Sequence, residues 1–443
     1  MQHSYDSLDR PGGFSRVHLL APLRHRDFAL LWGGQTGSLI GDGVFLVAMA
    51  WQVYAISNAP TALSLVGIAM TIPTIVLLLA GGVVTDRFDR RNVLIAADTV
   101  RGGAVGLMAV LSLTGSLQLW HMFCLVAVYG AGTAFFGPAF DAIVPGLLPG
   151  DMLPQANSLD QFVRPIAFRL AGPALGGWLV SAFGVGTAFA LDAASFALSA
   201  AMVAAIATRT APAAAGSVAG DLRRGFRFVR DNVWLWGTLA SAAVAYLLFL
   251  GPVEVLLPYI VKNGLRGSAA ELGLVFAAGG LGSVGAAIVM SRRGQPRRSI
   301  TVIYASWTLA TLAVAGYGLA TSAWQLMAAS FAFNALETVG TIIWATLKQR
   351  EVPASMLGRV SSLDWLISIG LLPISFALTG PVAAAVGAQA TLVAAGTAGA
   401  VVTLAALFLP GMRDVERESA RPERLPEHRP NAGSQGGATS EAA

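Results

Sequence analysis

The chain has 443 residues, of which 55% are hydrophobic and 12% charged, whereas soluble domains carry about a quarter charged residues; that composition excludes a water-soluble fold. The formal charge of +5 does not mark nucleic-acid binding, because the basic residues fall in short runs, such as Asp86 to Arg91 and Arg292 to Arg298. Those runs separate apolar stretches of about 20 residues, the length that crosses hydrocarbon as a helix. Cys124 is the single cysteine, which rules out an intrachain disulfide and a cysteine-based metal site.

Residues 1–27 are polar and carry Arg10, Arg16, Arg24 and Arg26 without an apolar core. No cleavable signal peptide is expected, and the first span serves as its own insertion signal. Apolar runs then predict helices over Phe28 to Tyr54, Thr61 to Val84, Asn92 to Leu113, Leu117 to Phe140, Gln161 to Phe183 and Gly186 to Ile206, a first bundle spanning 28–206. A linker at 207–233 contains an amphipathic basic segment, Asp221 to Arg230, with Phe226 and Phe228 among its arginines; such a segment lies at a membrane surface. A second bundle, 234–410, follows with helices over Trp234 to Val261, Glu271 to Met290, Ile300 to Leu319, Ala323 to Leu347, Leu363 to Val386 and Gln389 to Leu409. From 411 to 443 the composition turns to Arg, Glu, Pro, Gly and Ser, which buries too little apolar area to fold, so a disordered cytoplasmic tail is expected.

Lysine and arginine sort to alternate loops: the N-terminus, Arg87 to Arg91, the linker, Arg292 to Arg298, and Lys348 to Arg359, against only Lys262 and Arg266 on the other side. Both termini are therefore expected in the cytoplasm, and the protein in the cell inner membrane. The halves also repeat. Asn157-Ser158-Leu159-Asp160 opens the fifth span, which carries Gly172-Pro173, and Ser361-Ser362-Leu363-Asp364 opens the eleventh, which carries Gly380-Pro381. The fold class that follows is all-α, about twelve transmembrane helices in two pseudo-repeated six-helix bundles.

Between the second and third spans, Gly81-Gly82-Val83-Val84-Thr85-Asp86-Arg87-Phe88-Asp89-Arg90-Arg91 has glycine, Asp-Arg and a basic pair in a spacing that a plain positive-inside loop does not require. It resembles the loop signature of the major facilitator superfamily. The resemblance implies a conformational latch built from Gly82, Asp86, Arg87, Arg90 and Arg91, with a degenerate second-half copy at Ser291-Arg292-Arg293 that lacks the acid. Gly172-Pro173-Ala174-Leu175-Gly176-Gly177 resembles the helix motif of exporters in that superfamily; proline bends the span while Gly172, Gly176 and Gly177 permit close packing. Leu31-Trp32-Gly33-Gly34-Gln35, Gly41-Asp42, Ala97-Asp98 with Arg101, Phe136-Gly137-Pro138-Ala139, Gln155 to Asp160 and Leu191 to Phe196 are similar to the macrolide-efflux and enterobactin-exporter subgroup. Many proton-coupled members place an arginine four residues before a Gly-x-Gly in the fourth span. Here Val126 precedes Gly130 and Gly132, so the resemblance does not carry a proton mechanism with it.

Ionisable residues inside spans are costly and point to function. Asp42, near the middle of the first span, is the leading candidate for loading and releasing a coupling proton; the alternative is an acid that braces Gly41 and Gly43 through hydrogen bonds. Arg169, midway along the fifth span, is a partner for Asp42 or an attractor of anions, and Glu337 with Asn334 is a second candidate site for a proton or a cationic substrate. Asp192 and Glu254 are expected nearer the outer face, in local pairs. Asp98 and Arg101 lie one turn apart and read as a structural ion pair. Among the aromatic residues, Phe45, Phe136, Phe140 and Trp365, together with Asn334, are candidates to line a cavity for amphipathic ligands.

No phosphate-cradling loop and no metal-ligand motif occurs, so neither an enzyme nor an ATP-driven pump is expected, and no cofactor or metal. The expected function is a monomeric secondary transporter that exports small amphipathic molecules by proton antiport. Alternatives are a siderophore or lipid-like metabolite exporter of the same fold and, from another class, a non-transporting membrane scaffold or receptor.

Overall fold

The computed structural model describes residues 20–207 and 226–419. The expected N-terminal segment up to residue 19, the start of the linker including Asp221, and the tail from 420 lie outside the described residues.

Among the described residues, twelve helices are long and apolar enough to cross a membrane. In chain order they are α1 Arg26–Ile56, α2 Pro60–Arg87, α3 Arg90–Leu113, α4 Leu119–Ile143, α5 Leu153–Phe183 and α6 Val185–Ala204 in the first half. The second half holds α7 Val233–Gly264, α8 Ala269–Arg293, α9 Ser299–Leu319, α10 Ala323–Glu351, α11 Val360–Val386 and α12 Ala388–Ala406.

Local chemistry sets the ends. Pro60 occupies the first turn of α2, where a missing donor costs nothing. The Asp89 carboxylate accepts from the Arg91 N–H at 3.0 Å and caps α3, and Ser268 with Glu271 forms a reciprocal capping box on α8. Gly184 and Gly387, at φ 84° and 90°, make the equivalent reversals from α5 to α6 and from α11 to α12. Both are conformations that a side-chain-bearing residue adopts with strain.

Packing repeats with the same offset of six. Within the first half α3 packs on α6, α2 on α4, α1 on α6, and α1 on α5; in the second half α9 packs on α12, α8 on α10, α7 on α12, and α7 on α11. The halves join through α5 on α8 and, symmetrically, α11 on α2. A parallel twofold repeat is therefore present in the packing as well as in the motifs.

Several elements run past their expected ends. α5 begins at Leu153 rather than Gln161, and α10 continues to Glu351 rather than Leu347. Polar residues at the arginine-rich end solvate a helix as readily as they solvate a loop, so helices outlast the apolar run there. The chain also stays ordered past Pro410: Met412 and Val415 are buried, and a short helix covers Asp414–Ser419. The Glu416 carboxylate accepts from the Thr301 N–H at 2.5 Å and its hydroxyl at 3.0 Å, capping the first turn of α9.

Candidate transport site

The Asp86–Arg91 loop is tied down at helix ends. Arg90 donates to the Ala142 carbonyl at 3.1 Å, at the end of α4, and Arg91 donates to the Val203 carbonyl at 3.2 Å and to that of Ala204, at the end of α6. Carbonyls at a helix C-terminus lack intrahelical partners and carry partial negative charge, which is what a guanidinium satisfies. Asp86 is half-buried and Arg87 exposed. The glycine that admits a neighbour is Gly81 rather than Gly82: a Cβ on Gly81 would run into the Ala134 carbonyl of α4, whereas one on Gly82 would meet nothing within 4 Å.

The exporter-type motif holds two seams at once. A Cβ at Gly172 would come within 2.7 Å of Gly43 Cα, and one at Gly176 within 2.8 Å of Val44 Cα, so α5 and α1 meet backbone to backbone. On its other side, a Cβ at Gly177 would lie 2.9 Å from Gly273 Cα on α8, across the boundary between halves. The repeat of this seam sets Gly380 of α11 against Thr61 of α2, where a Cβ would lie 2.9 Å from Thr61 Cα. Near the same end Tyr54 donates to the Val255 carbonyl at 2.6 Å, Asn58 to Asn263 at 2.7 Å, and Lys262 to the Tyr54 carbonyl. These bonds close the two halves on each other at the end opposite the arginine-rich loops.

Inside the first half, side chains from four helices, α1, α3, α4 and α6, assemble a buried charged cluster. Asp98 and Arg101 form the expected ion pair, with side chains 0% and 5% exposed. The Arg101 guanidinium is sandwiched between the Phe136 ring, 4.1 Å from its centroid, and the Phe196 ring at 4.6 Å. Tyr129 of α4 donates to Asp42 at 2.6 Å and stacks on Phe45 at 4.9 Å. Arg101 is within electrostatic reach of both Asp42 and Asp192. Three carboxyls thus surround one guanidinium in a space lined by aromatic rings.

Two expectations change here. Asp192 does not sit in a local pair toward one face: it is fully buried level with Gly41, interacts electrostatically with Asp42, and its Oδ2 has no hydrogen-bond partner. The short side chains at Gly41 and Ser195 let α1 and α6 approach closely enough to bring the two acids together. Arg169 is not the partner of Asp42 either. Phe45, Phe136 and Phe140 are 3%, 7% and 7% exposed and pack inside the first half, where they frame the charged cluster rather than an open cavity.

Arg169 reaches the second half. It lies in a π-helical stretch of α5, Pro165–Ala171, the irregularity expected where prolines remove backbone donors. Its guanidinium donates to Asn334 Oδ1 at 3.0 Å and stands 3.9 Å from Glu337 Oε2, both on α10. Glu254 of α7, half-buried, interacts electrostatically with the same cation. Glu337 also accepts from the Thr341 hydroxyl at 2.9 Å. Nearby, a pocket of about 420 Å³ of empty space, partly open, is lined by Tyr246, Phe249, Trp307, Phe333 and Glu337 among others. Trp365 is 66% exposed and lies apart from that lining. Near the arginine-rich end, Lys348 pairs with Asp364, which also accepts from Trp344 Nε1 at 3.1 Å.

Sequence reasoning missed Tyr129, the central position of Asp192, the link from Arg169 to Glu254, and Lys348 with Asp364. Asp192 was legible as an intramembrane acid, and pairing α6 antiparallel to α1 through Gly41 and Ser195 would have set it beside Asp42. Tyr129 and Trp307 carry no sequence signal that separates them from other membrane aromatics.

Residues 17–432 match a family model described as transmembrane secretion effector. The chain is 22% identical over 396 residues to macrolide efflux protein A of Streptococcus pyogenes, covering 88% of this chain and 96% of that protein. It is 27% identical over 399 residues to the multidrug efflux pump Tap of Mycolicibacterium fortuitum, covering 86% and 94%. Among solved structures, the nucleoside transporter NupG (D323A mutant) superposes with a TM-score of 0.66 at 13% identity, covering 86% of this chain and 100% of that one. A bacterial homologue of the iron transporter ferroportin in its inward-facing state gives 0.65 at 16%, covering 89% and 100%. Those identities speak to the fold alone.

Proposed function

We propose that this chain, which belongs to the transmembrane secretion effector family of the major facilitator superfamily, exports small amphipathic molecules by alternating access in exchange for protons. It is a multi-pass membrane transporter of twelve spans, and its relatives include proteins named for macrolide and multidrug efflux. The observation that carries the proton reading is the cluster of Asp42, Asp98 and Asp192 around Arg101. Three ionised carboxylates beside one guanidinium leave an unbalanced charge, which a low-dielectric interior resists. Proton uptake relieves that imbalance. Of the three acids, Asp42 is half-buried rather than sealed and is held by the Tyr129 hydroxyl, so it is the one placed to exchange a proton.

Alternating access is supported by where the halves meet. Hydrogen bonds and glycine seams join them at the end opposite the arginine-rich loops. With the arginine-rich end cytoplasmic, as the positive-inside rule directs, this is a state closed to the outside. Rocking about the α5–α8 and α2–α11 seams would exchange it for the opposite state.

The test uses inverted membrane vesicles with matched amounts of wild type and Asp42→Asn. Acidifying the vesicle lumen is expected to drive accumulation of a fluorescent amphipath by wild type, with loss on adding an uncoupler, and no gradient-driven accumulation by Asp42→Asn. Normal transport by Asp42→Asn with an unchanged pH profile would assign the coupling elsewhere.

A further inference from the structure

The pocket in the second half does not belong to the cluster described for proton exchange, and it is not formed at the boundary between halves. Its walls come from α7, α9, α10 and α12, and α9 and α12 pack away from the first half. Three aromatic rings follow one another edge to face along it: Tyr246 on Phe249 at 5.6 Å and Phe249 on Phe333 at 5.8 Å. The enclosed space is thus bordered by aromatic rings, whose faces carry the negative side of the aromatic quadrupole. Trp307 lines the same pocket and its Nε1 donates to the Glu337 backbone carbonyl at 3.4 Å; Glu337 is itself a lining residue, and its carboxylate lies within electrostatic reach of Tyr246 in the same wall. Apart from Glu337, the lining residues carry no formal charge.

Aromatic faces with a single carboxylate are the chemistry that holds an organic ammonium ion. The charges beyond the pocket point the same way. Arg169 is one guanidinium facing two carboxylates, Glu337 and Glu254. Its pairing with Glu337 is loose, at 3.9 Å with the arginine side chain 45% exposed, and screening by water weakens such a pair. Arg169 therefore stands where a cationic ligand would compete with it.

We propose that the α7–α9–α10–α12 pocket binds the ammonium head of a cationic amphipathic molecule, with Glu337 as counter-ion, and that the bound cation displaces Arg169 from Glu337. This rests on the transport reading and narrows it to a substrate class. Only the ammonium head enters the pocket, which is partly open; the remainder of a larger molecule extends toward the space between the halves. Because Arg169 belongs to α5 and Glu337 to α10, displacement also severs a contact between the halves at mid-length. Occupancy and the freedom of the halves to rock are thereby linked through one side chain.

The test is equilibrium binding of radiolabelled benzyltrimethylammonium to the purified full chain in nanodiscs, with neopentylbenzene, its uncharged isostere, as competitor. No ion gradient is applied, so the result is independent of whether protons drive transport. Glu337→Gln is expected to weaken binding at least tenfold, and Ala242→Leu, which fills the pocket without touching a charge, to abolish it. Arg169→Gln is expected to tighten binding several-fold, the opposite of what a structural role for Arg169 would produce. Wild type should prefer the cation over its isostere, and Glu337→Gln should lose that preference. The assignment is overturned if Glu337→Gln and Ala242→Leu both bind like wild type, if the isostere competes equally with the cation, or if Arg169→Gln weakens binding. A Glu337→Gln protein that melts early is replaced by Glu337→Asp, for which an intermediate affinity with the cation preference retained supports the site and loss of the preference contradicts it.

Discussion

The two halves repeat one packing scheme yet put opposite chemistry inside it. The first half seals one ion pair and leaves only Asp42 of its cluster half-buried: Asp98 and Arg101 are 0% and 5% exposed, and phenylalanine rings close over the guanidinium. The second half leaves its charge accessible, with Glu337 21% exposed at the edge of an aromatic pocket and paired only loosely to Arg169. On the proposed reading, a shared fold serves two tasks, a proton in the first half and a larger cation in the second.

The strongest way to break that contrast is to remove each arginine in turn. Arg101→Gln leaves buried carboxylates uncompensated and should cost about 3–5 kcal/mol, read as a large drop in melting temperature in detergent. Arg169→Gln, at a half-exposed site, should cost about 1 kcal/mol at most. Equal losses would mean that the second half is as sealed as the first.

Next in size is the α1–α5 seam. Gly172→Val drives a side chain into the backbone of Gly43 and should destabilise by about 3 kcal/mol. Gly82→Val meets open space and should cost less than about 1 kcal/mol. If Gly82→Val proves the worse of the two, Gly82 takes part in a contact made only in another state of the transporter.

The smallest effect on stability is expected from Asn58→Cys with Asn263→Cys, in a Cys124→Ser background. The native asparagine side chains are 2.7 Å apart, so a short cross-linker should join them, leave folding unchanged and stop transport. Undiminished transport by the cross-linked protein would contradict the rocking of the halves.

Much of the fold was legible in the sequence because hydrocarbon imposes a length on every helix, and because the paired Gly-Pro motifs and the alternating arginines repeat. Helix ends at the arginine-rich side were less legible, since Leu153 to Asp160 is polar enough to read as loop while still folding as helix. Asp98 with Arg101 could be paired from spacing alone. Arg169 could not be assigned to Glu337, nor Asp192 to Asp42, because those contacts depend on how close glycines let neighbouring helices come. Phe136 illustrates the same limit: its sequence cannot distinguish a ring over a buried arginine from a ring in a binding cavity.

The division of labour between the halves is tested most directly in proteoliposomes by measuring, in one preparation, pH-gradient-driven transport and substrate counterflow for Asp42→Asn and Glu337→Gln. Asp42→Asn should lose the gradient-driven flux and keep counterflow, whereas Glu337→Gln should lose both for a cationic substrate. Loss of counterflow in Asp42→Asn, or its survival in Glu337→Gln, would contradict the assignment of proton and substrate to separate halves.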